Sequence, residues 1–238
     1  MAACFSRLGG VSPEPYKSLN VGSSVGDEKE NVVENRKRLF QALSLPSGSM
    51  YDAWQVHSTE YVVAKEPREL DSDQQKVNII LTQNPHVTLM MRFADCVPIF
   101  LYAPKQRAIG LVHAGWIGSI NKIASIAVGA MKHEFHCSPE EILAGIGPSI
   151  GPDHYEVGMD VVTKLQQKIP DKVDVCLSRK GNRYFLDLWY LNSYVLQEAG
   201  VKAIEIARIC TACNIDEWYS HRKEKGRTGR FGALYTLA

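Results

Sequence analysis

Val87-Thr-Leu-Met-Met-Arg-Phe-Ala-Asp-Cys-Val-Pro-Ile-Phe-Leu-Tyr102, followed after residues 103–107 by Ala108-Ile-Gly-Leu-Val-His113, is the stretch whose reading decides the fold. Its runs at 87–93, 97–102 and 108–113 are short and rich in β-branched and aromatic residues, the signature of strands. Outward from this block, further strand-like runs lie at 53–57, 173–177, 183–188, 203–210 and 231–237. The helical period appears at 28–43, 119–131, 157–168, where Val157, Val161 and Leu165 recur, and 189–199, stopped by Gly200. Several strands follow one another directly, which favours an α/β (α+β) fold, a mixed-sheet sandwich flanked by helices, over a regular βαβ array. No repeat, low-complexity tract or long linker divides the chain, so one domain over 1–238 is expected.

The 238 residues are 45% hydrophobic and 22% charged, which sets disorder aside; Lys+Arg 27 against Asp+Glu 26 lacks the basic excess of a general nucleic-acid binder. A chain of this size buries a substantial core without a metal staple, so any metal site is suspected of chemistry before structure. The N-terminal residues lack the charged and apolar regions of a signal peptide, and no apolar run nears the roughly 18–20 residues a bilayer span needs. A cytoplasmic protein without membrane or nucleic-acid partners is therefore expected. In such a compartment Cys4, Cys96, Cys137, Cys176, Cys210 and Cys213 read as thiols, ligands or nucleophiles rather than disulfides.

Three residues able to bind a soft divalent ion each close a strand-like run: His57 in Trp54-Gln-Val-His57, Cys96 in Ala94-Asp-Cys96, and His113 in Leu111-Val-His-Ala-Gly-Trp116. A thiolate and two imidazoles suit Zn²⁺, and three protein ligands leave the open position of a catalytic site. The separations fit no ligand spacing, so each residue taken singly also reads as a packed core histidine or a buried thiol. His113 has added support from Ala114, Gly115 and Gly118-Ser119, which turn the chain into a helix whose first amides favour an anion.

Arg36 lies three or four positions from Val32, Val33, Leu39 and Phe40 and so falls on the buried face of the first helix. It serves either a structural salt bridge or an anion. The tail His221-Arg-Lys-Glu-Lys-Gly-Arg-Thr-Gly-Arg230 holds five basic residues and one acid, as an anion-wrapping or a solvated loop would. Cys210-Thr-Ala-Cys213 lacks a second CxxC for a zinc ribbon, Gly145-Ile-Gly147-Pro-Ser-Ile-Gly151 misses the dinucleotide spacing, and His133 and His136 face solvent at a helix end.

The motifs Gly9-Gly-Val-Ser12, Ser18-Leu-Asn-Val-Gly22, Val25-Gly-Asp27, Asn35-Arg36, Gln55-Val-His57, Ala94-Asp-Cys-Val-Pro98, His113-Ala-Gly-Trp116, Gly147-Pro148, Tyr155-Glu-Val-Gly158, Cys210-Thr211 and Thr228-Gly-Arg230 occur in this order. Together they resemble the bacterial laccase-domain family, once labelled polyphenol oxidases and regarded as purine nucleoside phosphorylases with adenosine deaminase activity. The resemblance implies zinc on His57, Cys96 and His113, with Asn20 and Arg36 at the nucleoside and phosphate site. It places Ser220, Arg222 and Arg230 in the family's C-terminal basic motif. Arg36, Cys96 and Asp95 are expected to carry catalysis, Asp95 by orienting a histidine or moving a proton, unless it only caps the strand end. The implied partners are inorganic phosphate and adenosine, inosine, guanosine or methylthioadenosine, taken by a monomer or weak homodimer.

Three positions depart from the family pattern: Ile117 where an Arg is usual, Asn78 where an Asp is usual, and Ser149 in place of a Cys. Copper chemistry is disfavoured, because multicopper centres use His-x-His pairs and none of the seven histidines forms one. Two other readings compete. One is a hydrolase or amidase with Cys96 as nucleophile and His113 as base; the other is a nucleoside-binding scaffold without turnover.

Overall fold

The computed structural model describes residues 1–69 and 72–237. A six-stranded sheet runs in spatial order β12 (Ala203–Ile206), β8 (Leu143–Ile146), β6 (Val97–Ala103), β7 (Ala108–Ala114), β4 (Ile79–Thr82) and β3 (Tyr61–Val63). A four-stranded sheet runs β1 (Ala2–Cys4), β13 (Phe231–Thr236), β5 (Thr88–Phe93) and β2 (Met50–Asp52). A small third sheet joins β10 (Leu177–Lys180), β11 (Arg183–Leu186) and β9 (Glu156–Val157). Pairing is parallel at β12–β8, β4–β3 and β5–β2 and antiparallel elsewhere, so both large sheets are mixed.

Strand side chains alternate between faces, and here both faces are covered, which is why the strands read as continuous apolar runs. Ile80, Phe100, Ile109 and Leu111 of the larger sheet meet Leu89, Met91, Phe93, Phe231 and Tyr235 of the smaller one in the core between them. Ile79, Leu81, Ile99, Leu101 and Val112 point the other way. They bury helices α3 (Ile123–Phe135), α4 (Met159–Lys168) and α6 (Leu188–Glu198) through Ala127, Met131, Leu165, Leu191 and Val195. On the far side of the smaller sheet, Met90 and Leu234 receive Leu39 and Phe40 of α1 (Lys29–Ala42). The result is a helix–sheet–sheet–helix sandwich, as the sequence predicts. Among the described residues no helix is long and apolar enough to cross a membrane.

The departures from the predicted elements have local causes. Residues 53–57 are not a strand; the ladder ends at Asp52, and the Gln55 side chain replaces it, donating to the Arg92 carbonyl (2.8 Å) and accepting from the Arg92 N–H (3.0 Å). The helix expected over 119–131 is broken into α2 (Trp116–Ile120) and α3, with Lys122 in the left-handed conformation between them (φ 58°). Residues 173–176 form a one-turn helix, α5 (Val173–Cys176), where a strand is expected: Val175 faces solvent and, among the described residues, the segment has no partner strand to reward its β-branched residues. Gly200 ends α6 at φ +97°, as predicted.

Candidate functional site

At one end of the inter-sheet layer a cavity of about 510 Å³ opens to solvent, within the range typical of small-molecule sites. Its wall includes His57, Cys96, His113, Arg92, Asp95, Trp54, Trp116, Tyr155, His221, Arg222 and Arg230. The three ligand-type residues, more than fifty positions apart in sequence at their extremes, thus share one wall, although only His113 lies within a strand. His57 sits in the irregular segment after β2 in a left-handed conformation (φ 57°), and Cys96 directly precedes β6. The His57 and His113 rings lie 5.4 Å apart between centroids. Gly115 permits the approach: a Cβ there would stand 3.1 Å from His57 Nδ1 and 3.2 Å from Cys96 Sγ.

The donor set fits zinc in kind, two imidazoles and a thiol, but the immediate surroundings of His113 are unusual. Its ring is 5% exposed, and its Nδ1 lies 3.3 Å from the amide nitrogen of Asn78. The Asn78 Oδ1 accepts the Val56 N–H at 3.0 Å, which fixes the amide with its NH₂ toward the imidazole. An NH₂ group only donates, so Nδ1 must accept and the ring proton is placed on Nε2. Coordination through Nε2 therefore costs the Asn78 contact. An aspartate at position 78 would accept an Nδ1 proton and leave Nε2 free. Among the described residues, the set of ligand-type side chains whose donor atoms all lie within 4.8 Å of one another is elsewhere, at Asp153, His154, Cys210 and Cys213. The cavity trio is more open than that.

Asp95 is a positioning residue. It stands in a left-handed turn (φ 80°), and its carboxylate is bonded to the chain's C-terminal part: Oδ1 accepts from Thr211 Oγ1 (2.7 Å) and Oδ2 accepts the Arg222 N–H (2.6 Å). The expected bond to His57 or His113 is not what it makes. It instead ties the basic tail to the β5–β6 turn. The single acid of that tail, Glu224, anchors the rest, accepting from Arg7 (3.0 Å), the Ser220 N–H (2.9 Å) and Thr228 Oγ1 (2.5 Å). The tail is therefore an ordered loop that carries His221, Arg222 and Arg230 to the cavity, with the Arg222 guanidinium 5.0 Å from the Tyr155 ring centroid.

Asn20 and Ser220 are fully buried and do not line the cavity. The Asn20 amide accepts the Gly22 and Arg230 N–H groups and donates to Asp27, so it places Arg230 rather than meeting a ligand. Ser220 accepts the Lys223 N–H. Arg36 is likewise engaged inside the protein, donating from Nε and Nη2 to the Val21 carbonyl (3.1 and 3.0 Å) with Nη1 3.7 Å from Asp52. Asp52, 1% exposed, also meets Arg68 (2.8 Å) and Arg92 (3.2 Å). Burial works against this carboxylate's charge, but Arg92, Arg36 and Arg68 with Gln74 hold it below the ordinary range. Arg36 faces a neighbouring cavity that shares Trp54 and Ser23 with the first. Sequence reasoning passes over the wall residues Arg92, Gln55, Tyr155 and Trp54, although a cation within the otherwise apolar run 87–93 marks Arg92 and the motifs that contain Gln55 and Tyr155 mark those two.

Burial dominates the electrostatics of Cys96 and His113. It pushes the Cys96 thiol up to about 12, with Asp95 adding to the effect, and drives His113 down to about 3, helped by His57, Arg92 and Arg230. A preformed thiolate–imidazolium pair is thus disfavoured on both sides, which counts against Cys96 as a nucleophile activated by His113. A divalent cation reverses the logic for Cys96, since a coordinating thiol is deprotonated outright.

The family described as "Multi-copper polyphenol oxidoreductase laccase" matches residues 1–238. A protein of Geobacillus stearothermophilus named purine nucleoside phosphorylase YlmD is 35% identical over 98% of this chain and 89% of its own length. Purine nucleoside phosphorylase YfiH of Escherichia coli strain K12 is 32% identical over 100% of this chain and 94% of its own. Among solved structures, the hypothetical protein YfiH of Bacillus licheniformis superimposes with a TM-score of 0.95 at 30% identity, over 100% of this chain and 92% of that one.

Proposed function

The chain belongs to the multi-copper polyphenol oxidoreductase laccase family, and from that premise we propose that it is a purine nucleoside phosphorylase. Its substrates are adenosine, inosine, guanosine and methylthioadenosine, and the same cavity deaminates adenosine. The observation that carries this reading is one cavity lined both by His57, Cys96 and His113 and by the cationic Arg222 and Arg230. The names of the relatives from Geobacillus and Escherichia supply the reaction class.

In phosphorolysis a phosphate oxygen bonds to ribose C1′ while the C1′–N9 bond breaks and its electron pair leaves with the purine. Arg222 and Arg230 hold the phosphate, because a planar guanidinium pairs two oxygens and follows charge as it shifts. We assign this to them rather than to Arg36, because Arg222 and Arg230 line this cavity and Arg36 lines only its neighbour, although each of the two also donates from Nη1 to backbone carbonyls, Arg222 to Glu156 and Arg230 to Thr228 and Gly229. Trp54, 45% exposed on the cavity wall, offers its face to the purine. Burial raises the Tyr155 phenol above its ordinary range, so it keeps its proton and donates a hydrogen bond. For deamination, in which water replaces the C6 amine, His57, Cys96 and His113 would hold a zinc ion, which would supply Lewis-acid activation of water. The six unpaired cysteines accord with a cytoplasmic setting.

The test follows adenosine and inosine by chromatography with and without phosphate. Free base and ribose 1-phosphate that form only with phosphate, and are lost in Cys96→Ser, are the expected result. Base release that needs no phosphate, or a Cys96→Ser protein of full activity, would sink the proposal; a nucleoside that raises the melting temperature without conversion would favour a binding scaffold.

A further inference from the structure

We propose that Asp153, His154, Cys210 and Cys213 form a second divalent-metal site, suited to zinc, that clasps the 151–155 loop to the 210–214 turn. It stands independently of what the cavity does. The sequence sets the CxxC pair aside for want of a second pair of ligands; the fold supplies that pair from a segment more than fifty residues earlier.

The distances decide between a chance cluster and a coordination sphere. With Zn–S near 2.3 Å and Zn–N or Zn–O near 2.0–2.1 Å, a tetrahedral ion spaces its ligands roughly 3.6 Å apart along a sulfur-to-nitrogen or sulfur-to-oxygen edge and roughly 3.3 Å along a nitrogen-to-oxygen edge. Cys213 Sγ lies 3.5 Å from His154 Nδ1 and 3.7 Å from Asp153 Oδ2. Cys210 Sγ lies 3.9 Å from the same Nδ1, and Nδ1 lies 3.0 Å from Asp153 Oδ2. Each of these four edges is within about 0.3 Å of the tetrahedral value, and the remaining two, from Cys210 Sγ to Cys213 Sγ and to the Asp153 carboxylate, are no longer than 4.8 Å. Two thiolates, an imidazole and a carboxylate are a set that zinc takes readily.

The surrounding backbone is built for this approach. The Gly151 N–H donates to Cys210 Sγ at 3.1 Å, a bond that favours the thiolate a metal needs. A Cβ on Gly151 would stand 2.8 Å from Asp153 Oδ1 and 3.1 Å from Cys210 Sγ, so glycine is what lets the two segments close. Ser149 pairs with Cys210 as an isolated bridge, through Ser149 N to Ile209 O and Thr211 N to Ser149 O, both 3.1 Å. Ligand neighbours reach the cavity: Tyr155 follows His154 and lines it, and Thr211 follows Cys210 and holds Asp95 at 2.7 Å. The proposed role is a structural tie that sets the cavity wall. Cys213 and Asp153 are exposed, so an ion enters and leaves from solvent.

Cobalt(II) alone is the probe, added in the presence of a phosphine reductant to the full chain carrying Cys96→Ser, so that the cavity offers no thiolate. One equivalent bound with a two-thiolate charge-transfer absorption is expected. Adding Cys213→Ser is expected to cut that absorption to half or less and to abolish the rise in melting temperature that zinc gives the Cys96→Ser protein. In the otherwise unaltered chain, Cys213→Ser should lower bound zinc by one equivalent, a measurement that does not depend on Cys96→Ser folding. A folded Cys96→Ser protein without thiolate–cobalt absorption, absorption unchanged by Cys213→Ser, or unchanged zinc content in the single variant overturns the site.

Discussion

Replacing Asn78 by Asp should tighten metal binding at the cavity, and its size follows from the hydrogen bonds around His113. The two side chains have the same shape, so one carboxylate oxygen keeps the Val56 N–H (3.0 Å) and the other meets His113 Nδ1 (3.3 Å). A carboxylate accepts where the amide NH₂ donates, so the ring proton moves to Nδ1 and the Nε2 lone pair turns to the cavity. Partners that orient a metal-bound histidine are worth roughly 10–100-fold in affinity, or about 1.4–2.8 kcal/mol. Competition against a chromophoric zinc chelator should show the Asn78→Asp affinity higher by that factor. The metal-free variant should melt below the parent, because residue 78 is 1% exposed and a carboxylate there lacks a cation until the metal arrives. Nitrogen-15 chemical shifts should report the Nε2–H tautomer of His113 in the parent and Nδ1–H in the variant. A parent already in the Nδ1–H form, or a variant that binds zinc no more tightly, refutes the reasoning.

Other perturbations have equally definite outcomes. Asp52→Asn leaves Arg36, Arg68 and Arg92 around a neutral amide; losing one partner of a buried charge cluster costs about 3–5 kcal/mol, a drop in Tm of roughly 6–20 °C at this chain length, and calorimetry showing less than a few degrees would contradict it. The metal-free protein should lose stability as pH falls from about 6.5 toward 3, because the His113 pKa is depressed to about 3 in the fold and the unfolded chain then binds the extra proton. The slope is up to about 1.4 kcal/mol per pH unit, and urea titrations should find it flatter in His113→Asn; equal slopes would exclude His113 as its source. Arg230→Ala should raise the KM for phosphate by tenfold or more, and an unchanged phosphate KM would take Arg230 out of that role. Gly115→Ala should weaken zinc binding with little loss of fold, since the new methyl stands 3.1 Å from His57 Nδ1 and 3.2 Å from Cys96 Sγ; unaltered zinc affinity would show that the cavity set does not need the close approach.

What the sequence determined by itself was the fold class, the central strands and main helices, and the chemical alphabet of the site, while the short strands β1, β2, β3, β4, β8 and β9 were not read from it. Residues 87–113 announce three strands because each is buried on both faces, and a run that is apolar throughout stays legible without knowing its neighbours. The residue types at 57, 96 and 113, the ordered motifs and the basic tail likewise pointed to the cavity before any contact was known. Tertiary structure alone decided what each polar group does. Arg36 turned to Val21 and Asp52, Asp95 to Thr211 and Arg222, Asn20 to Arg230, and Asn78 to His113. Tertiary structure also brought Asp153 and His154 to Cys210 and Cys213. The reason is physical: apolar periodicity is a local property that every strand or helix repeats along its own length, whereas a buried polar group must find its partner wherever sheet order and turn geometry bring one, and those partners lie 15 to 210 positions away in sequence.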